Sequence, residues 1–151
     1  MDIIEQLQCD EGFKEHVYKC TAGCDTIGYG YNLASNPLRL NHVELREARH
    51  DGVSKAKAAI WLTRIVESND SRLSKSFTFY NKLSDARKGV LLNMSYQLGF
   101  YGLAEFKHAI TYLAGHDYGL VANEMSNSKW ARQTPERAKR LIVQMRTGEW
   151  Q

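Results

Sequence analysis

A carboxylic acid, a thiol and a hydroxyl stand at short intervals near the start of the chain. Glu11 is followed by eight residues and then by Cys20, and five further residues precede Thr26. A carboxylic acid can protonate a leaving group, and a thiol or a hydroxyl can hold or activate water. Cleavage of a glycosidic bond needs both, because the leaving oxygen must be protonated while water, or a nucleophile, approaches the opposite face of the sugar.

A short helix is expected to position the acid. Asp2 and Glu5 form a start that resembles a capping box, and the next residues place an apolar face at helical spacing. Gly12 favours a stop, so we predict a helix over 3–11. Glu11 then lies in the last turn, where the helix dipole disfavours a negative charge and favours the protonated acid.

The segment after Gly12 is expected to carry the thiol and the hydroxyl on a small sheet. It is rich in Val, Tyr, Thr and Ile, and it is punctuated by Gly23, Gly28 and Gly30. This pattern predicts a short twisted β-hairpin or a three-stranded ribbon. The acid at the helix end would then face a ribbon that bears Cys20 and Thr26.

The rest of the chain has a helical pattern. A loop is expected at 34–37, and a helix over about 40–49, with Val43, Leu45 and Ala48 inward. Ser54 is a plausible N-cap for a long helix. Its apolar residues recur at helical spacing and indicate a core face: Ala58, Trp61, Leu62, Ile65, Val66 and Leu73.

Further helices are expected from Ser84 onward. One apolar stripe should end at Gly99, and a short helix containing Leu103, Phe106, Ile110 and Leu113 should end at Gly115. Leu120, Val121 and Met125 indicate another helix. A last helix is predicted from Pro135 to Arg146, because proline is favourable in a first turn.

Composition limits the class of protein. The 151 residues suit one domain, and 43% hydrophobic with 25% charged residues is ordinary for a globular chain. The longest apolar runs are far shorter than the roughly 20 residues of a membrane span. The first residues lack the basic and apolar regions of a secretory signal, so we expect accumulation in the cytoplasm.

The cysteine spacing and the net charge do not indicate a zinc-binding or a nucleic-acid-binding protein. Three cysteines, Cys9, Cys20 and Cys24, lack zinc-site spacing, although a Cys20–Cys24 bridge stays open. The net charge of +3 is too weak to indicate nucleic acid by itself. Six Lys or Arg residues between Lys129 and Arg146, against Glu136 alone, fit solvated helix faces or attraction to an anionic polymer.

Several motifs, in order along nearly the whole chain, resemble the phage-type lysozymes, the muramidases of T-even phage endolysins (glycoside hydrolase family 24). The spacing of Glu11, Cys20 and Thr26 matches, as do the flanking Asp-Glu-Gly and Thr-Ile-Gly-Tyr-Gly. Further matches are 93–99, Trp130, 133–135, 137–140 and 146–150. Several spaced motifs together are far more specific than any one of them.

The resemblance implies a fold and a domain organisation. It implies an α+β, mostly α-helical, lysozyme-like fold with two lobes around a cleft. The chain would be a single lysozyme domain over 1–151. A small β-containing lobe would span 12–53, and 1–11 with 54–151 would supply a connecting helix and a helical lobe.

The resemblance also implies roles for individual residues. Glu11 would be the general acid, Cys20 would direct or activate water where the family usually has Asp, and Thr26 would help to hold that water. Arg137 would pair with the catalytic acid, and Asp10 with Arg140 would form a structural pair. Substrate contacts would come from Asn32, Tyr96, Gln97, Ala109 and Glu124. No metal or cofactor is implied.

The function implied is that of a phage endolysin which hydrolyses the β-1,4 bond between N-acetylmuramic acid and N-acetylglucosamine in peptidoglycan. The partners expected are glycan strands, without nucleic acid or stable membrane insertion. The chain would act as a monomer on the periplasmic wall, after a holin permeabilises the membrane of the host cell. Three alternatives stay open: a lytic transglycosylase, a peptidase that uses Cys20 with His16 or His42, and a non-catalytic wall-binding module.

Overall fold

The computed structural model describes residues 1–35 and 40–151, so the loop expected at 34–37 lies partly outside the described residues. The chain forms two compact units, one of residues 4–68 and one of residues 1–3 with 69–151. The division falls within the long helix Lys55–Ser76. The lobe boundaries expected from the sequence, 12–53 against the rest, stay a prediction.

The first unit carries a small sheet. Helix α1 (Ile3–Glu11) precedes three antiparallel strands, β1 (Lys14–Lys19), β2 (Asp25–Gly28) and β3 (Tyr31–Asn32), in the order β1-β2-β3. Tyr18 stands opposite Thr26, and Thr26 stands opposite Asn32. Both the helix over 3–11 and the three-stranded ribbon are therefore confirmed.

Helix α2 (His42–Asp51) begins two residues later than the sequence predicts. The side chain of Asn41 accepts a hydrogen bond of 2.8 Å from the backbone N–H of Glu44, so this N-cap fixes the start of the helix. Ala48 is buried as expected, but Val43 is 51% exposed, and its inward placement was wrong. A surface helix directs only one stripe of its residues toward the core, so an apolar residue outside that stripe stays exposed.

Helix α3 (Lys55–Ser76) supplies much of the core of the first unit. Ser54 caps it by accepting from the N–H of Lys57 at 3.1 Å. The residues at helical spacing are buried as predicted: Ala58, Trp61, Leu62, Ile65, Val66 and Leu73. Tyr31 packs on Trp61 with ring centroids 5.3 Å apart, which joins the sheet to this helix.

The second unit is helical. It contains α4 (Asp85–Ala104), α5 (Lys107–Ala114), α6 (Tyr118–Ser126), α7 (Lys129–Gln133) and α8 (Pro135–Thr147), with a 3₁₀ turn at Tyr80–Lys82. Gly99 breaks the helical conformation with φ 77°, as expected, but helix resumes after it and reaches Ala104. The five-residue α7 was missed, because one turn carries no measurable periodicity.

Buried polar contacts tie the helices of the second unit together. Helix α6 packs against α8, and α8 packs against α4. The amide of Gln144 donates to the backbone carbonyl of Ala86 at 2.8 Å, and Gln144 is fully buried. The hydroxyl of Tyr80 donates to Asp70 at 2.6 Å. The mostly α-helical α+β class predicted from the sequence is confirmed.

Across residues 1–35 and 40–151, no helix is both long and apolar enough to cross a membrane. Within the same ranges, no three or more His, Cys, Asp or Glu side chains are grouped so that they could hold a metal ion.

Candidate active site

The turn between β1 and β2 places Cys20 opposite Cys24. The backbone N–H of Cys20 donates to the carbonyl of Cys24 at 3.0 Å, and the N–H of Gly23 donates to the carbonyl of Cys20 at 2.8 Å. Gly23 has φ 81°, in the left-handed region. This is the three-residue hairpin loop in which a type I turn is followed by a left-handed glycine. Cys20 and Cys24 are therefore the residues that close the hairpin.

The thiol of Cys20 accepts a hydrogen bond within this turn. The backbone N–H of Cys24 points at the Cys20 Sγ, with a distance of 3.3 Å. A donor to sulfur stabilises the thiolate, so this N–H holds the pKa of the Cys20 thiol below its usual value, while partial burial opposes the shift. The turn therefore favours the ionised, more reactive form of the thiol.

Thr26 lies on the same face of the sheet as Cys20. Tyr18 stands opposite Thr26, and residues directly opposite one another, or two apart on one strand, share a face. Thr26 is 4% exposed, and its hydroxyl donates to the carbonyl of Cys24 at 3.0 Å. The same hydroxyl is a hydrogen-bond partner of the Cys20 thiol and helps to lower its pKa, so Thr26 and the thiol lie side by side.

Glu11 ends α1 with its carboxyl against the turn between β2 and β3. The chain leaves the helix through Gly12, at φ 64°, as the sequence predicts. Gly30, at φ 65°, has so little room that a methyl group on its Cα would overlap the Glu11 carboxyl. A side chain at this position would displace the acid, so glycine is required here both for its conformation and for the space.

Tyr18 is a member of the site that sequence reasoning missed. Its pKa is raised, first by burial and then by the negative charges of Glu11 and Cys20. The tyrosine therefore lies near both the acid and the thiol. Strand alternation already gives the signal, because Tyr18 precedes Cys20 by two residues and so shares its face.

The second unit brings together two of the other residues predicted to contact substrate. Ala109, 5% exposed, and the half-buried Glu124 line the same pocket, which has a volume of about 390 Å³. Trp130 also lines it and donates from Nε1 to the side-chain oxygen of Gln97 at 2.8 Å. The structure therefore gives Gln97 a fixed orientation beside this pocket, although Gln97 does not line it.

Other predicted site residues have structural contacts of their own. The side-chain oxygen of Asn32 accepts from the N–H groups of Ala34 and Ser35, at 2.9 and 3.0 Å, so it shapes the turn after β3. Arg137 donates from Nε to the buried side chain of Asn93 at 2.8 Å. Tyr96 is half-buried on α4. The substrate contacts and the pairing of Arg137 with the acid stay predictions.

The placement of His16 does not favour a thiol–imidazole pair. His16 is exposed, and its ring lies against Gly52. Four residues along a strand separate His16 from Cys20, which corresponds to about 13 Å. A general base must come within hydrogen-bonding reach of the thiol, so the strand keeps these two residues apart.

Comparison with known proteins identifies the class to which this chain belongs. The phage lysozyme family model matches residues 8–147. Probable T4-type lysozyme 1 of Dictyostelium discoideum is 31% identical over 97% of this chain and 94% of its own length. Probable T4-type lysozyme 2 of the same organism is 29% identical over 95% of this chain and 93% of its own length.

A phage protein aligns over a smaller part of its own length. The pre-baseplate central spike protein Gp5 of Enterobacteria phage T4 is 26% identical over 98% of this chain but only 28% of its own length. The fold is therefore that of a lysozyme-type peptidoglycan hydrolase, which is a glycosidase. This chain belongs to the phage lysozyme family.

Proposed function

We propose that the protein is an N-acetylmuramidase that hydrolyses the β-1,4 bond between N-acetylmuramic acid and N-acetylglucosamine. One observation carries the proposal. The carboxyl of Glu11 and the thiol of Cys20 both lie near Tyr18, on a sheet face that also presents the Thr26 hydroxyl. An acid together with a pair of water-binding groups is what glycoside hydrolysis requires.

Glu11 acts as the general acid in this proposal. It gives its proton to the glycosidic oxygen, the bond from that oxygen to the anomeric carbon breaks, and the N-acetylglucosamine part leaves with a new hydroxyl. The end of α1 supports this role, because the carbonyl groups at a helix C-terminus disfavour a negative charge on the acid. Gly30 leaves room for this carboxyl, because a Cβ on residue 30 would overlap it.

Cys20 and Thr26 position the attacking water. One O–H of the water donates to the Cys20 sulfur and the other to the Thr26 oxygen, which leaves a lone pair of the water free for the anomeric carbon. The water oxygen bonds to that carbon, and the water loses a proton to the thiolate. The N–H of Cys24, 3.3 Å from the sulfur, favours the thiolate that this step needs.

The pocket of the second unit supports a role in substrate binding. In the proposal, Tyr96, Gln97, Ala109 and Glu124 contact the glycan substrate, as does Asn32 in the first unit. The pocket volume of about 390 Å³ is in the range for small ligand groups. The hydrogen bond from Trp130 already orients the Gln97 side chain. Substrate binding would therefore lose less conformational entropy in ordering that side chain.

The biological role that we propose is that of a phage endolysin which lyses the host cell. The match to the phage lysozyme family supports this role. The enzyme would accumulate as a monomer in the host cytoplasm and reach the periplasmic wall after a holin opens the membrane. Its partner is then the glycan strand of peptidoglycan, without nucleic acid.

A direct test replaces the acid without changing its size. Glu11→Gln removes the proton donor, so the rate of release of reducing ends from purified peptidoglycan should fall at least about 100-fold. Glu15→Gln is a matched control, because Glu15 is an exposed carboxylate on β1. Near-full activity in Glu11→Gln, in a variant that melts like the parent, would refute this assignment.

A further inference from the structure

The hairpin that carries the proposed catalytic thiol holds a second thiol directly opposite it. Cys20 and Cys24 close the loop between β1 and β2, through the 3.0 Å hydrogen bond from the Cys20 N–H to the Cys24 carbonyl. Both side chains are half-buried. In the proposed reaction Cys20 holds water, whereas the Cys24 side chain has no assigned task.

The backbone geometry of this pair suits a disulfide. Residues opposite one another across antiparallel strands have Cα atoms about 4.5–5.5 Å apart, with side chains on the same face. Cys20 and Cys24 share one ladder hydrogen bond, because the Cys20 carbonyl accepts from Gly23 instead. Disulfides join residues whose Cα atoms are about 4.4–6.8 Å apart. The Cys20 sulfur is already turned toward Cys24, since it lies 3.3 Å from that residue's backbone nitrogen.

We propose that Cys20 and Cys24 are a redox-modification site, and that a reversible disulfide between them switches the enzyme off. This inference rests on the proposed function of Cys20. Once its sulfur is bonded to the sulfur of Cys24, it can neither accept a hydrogen bond from the attacking water as thiolate nor take its proton. The bridge would therefore stop hydrolysis and leave the Glu11 carboxyl unchanged.

The oxidant is a small-molecule disulfide, which reacts with the two cysteines by thiol–disulfide exchange in two steps. The Cys20 thiolate attacks one sulfur of the reagent, which gives a mixed disulfide and one reduced reagent thiol. The Cys24 thiol then loses its proton and attacks the Cys20 sulfur, which releases a second reagent thiol. Two protein thiols lose two electrons and two protons, and the reagent gains both.

The local chemistry favours this exchange at Cys20. Thiolates are the attacking species, and the Cys24 N–H lowers the pKa of the Cys20 thiol. Reducing compartments keep such pairs as thiols, whereas the periplasm oxidises them. An endolysin with this pair would reach the wall in its active form and then lose activity as the bridge forms.

The test uses the full chain with Cys9→Ser, so that only the hairpin thiols remain. After treatment with oxidised glutathione, the intact mass should fall by two hydrogens, and peptide mapping should show the 20–24 bond. Release of reducing ends should drop at least about 100-fold and recover with dithiothreitol. Cys9→Ser with Cys24→Ser is the matched control, because it can carry only a glutathione adduct.

The redox switch and the proposed muramidase function would fail with different experimental results. If the chain acquires only glutathione adducts, or no modification, the switch is overturned and the muramidase proposal stands. If the 20–24 bond forms and hydrolysis continues at its former rate, the switch is again overturned. If the fully reduced enzyme releases no reducing ends, the proposed function fails, and the switch fails with it.

Discussion

The carboxyl of Glu11 lies against the backbone of Gly30, so closely that a methyl group on Gly30 would overlap it. The helix that ends at Glu11 and the turn between β2 and β3 are therefore fitted to each other at a single residue. Because residue 30 is a glycine, the Glu11 carboxyl can lie directly against this turn.

Replacing this glycine should affect activity more than an equally strained substitution elsewhere. Gly30→Ala places a side chain at φ 65° and also displaces the Glu11 carboxyl, whereas Gly12→Ala has φ 64° and open space around its Cβ. Both variants should lose about 1–2 kcal/mol of stability from the backbone conformation. Only Gly30→Ala should lose further stability and most activity, as measured by denaturant unfolding and by release of reducing ends.

The reactivity of Cys20 should depend on pH in a defined direction. Its pKa is lowered, chiefly by the backbone N–H of Cys24, so the folded protein forms thiolate at a lower pH than a free cysteine does. In a chain with Cys9→Ser and Cys24→Ser, which keeps that N–H, alkylation by iodoacetamide should rise with pH through a midpoint below that of a free cysteine. Unfolding in urea should move the midpoint up; an unchanged midpoint would contradict the hydrogen bond.

Exchanging the thiol for a carboxylate tests the role of Cys20 as a water-directing group. Cys20→Asp should keep substantial activity, because a carboxylate can hold and activate water, while Cys20→Ala should lose most of it. If thiolate is the active form, the rising limb of the pH–activity profile should move to lower pH in the Asp variant, since Asp ionises near 3.9. A peptidase would instead lose all activity on this change, because Asp cannot replace the nucleophilic thiol.

The stability of the second unit should depend on a buried tyrosine. Tyr80 is fully buried, and its hydroxyl donates to Asp70 at 2.6 Å. Burial and this hydrogen bond raise the pKa of Tyr80, which keeps the hydroxyl protonated. Tyr80→Phe should cost about 1.5–3 kcal/mol in denaturant unfolding, the usual range for a hydrogen bond to a charged group. A loss within experimental error would show that this contact contributes nothing.

Local signals predicted much of the fold, because caps and glycine stops act within a few residues. Gly12 ends α1, Ser54 starts α3, and Pro135 begins α8 where the sequence places them. Burial of a single surface residue was harder to predict, as Val43 shows, because it depends on what lies next to the helix. The break at Gly99 was predicted, but the helix expected to contain both Leu103 and Phe106 is divided, because α4 ends at Ala104 and Phe106 caps the start of α5.

The site was predictable in part for the same reason. The distance from Cys20 to Thr26 along the chain fits one tight hairpin, so their proximity follows from local turn chemistry. The closeness of Gly30 to Glu11 is not local, because it requires the sheet to return to the end of α1. The strand alternation that places Tyr18 on the face of Cys20 is a local signal, whereas the register that places Tyr18 opposite Thr26 follows an irregularity between Lys14 and Tyr18 that no local pattern reveals.

In the proposed reaction, water cleaves the bond after N-acetylmuramic acid, so an oxygen atom of the solvent should appear at each new end. Purified peptidoglycan is digested with the reduced enzyme in ¹⁸O-labelled water, and the muropeptides are analysed by mass spectrometry. Hydrolysis should produce new reducing N-acetylmuramic acid ends that carry one ¹⁸O from the solvent. Unlabelled 1,6-anhydro ends would instead indicate a lytic transglycosylase, and new amines without reducing ends would indicate a peptidase; either result would contradict the proposed function.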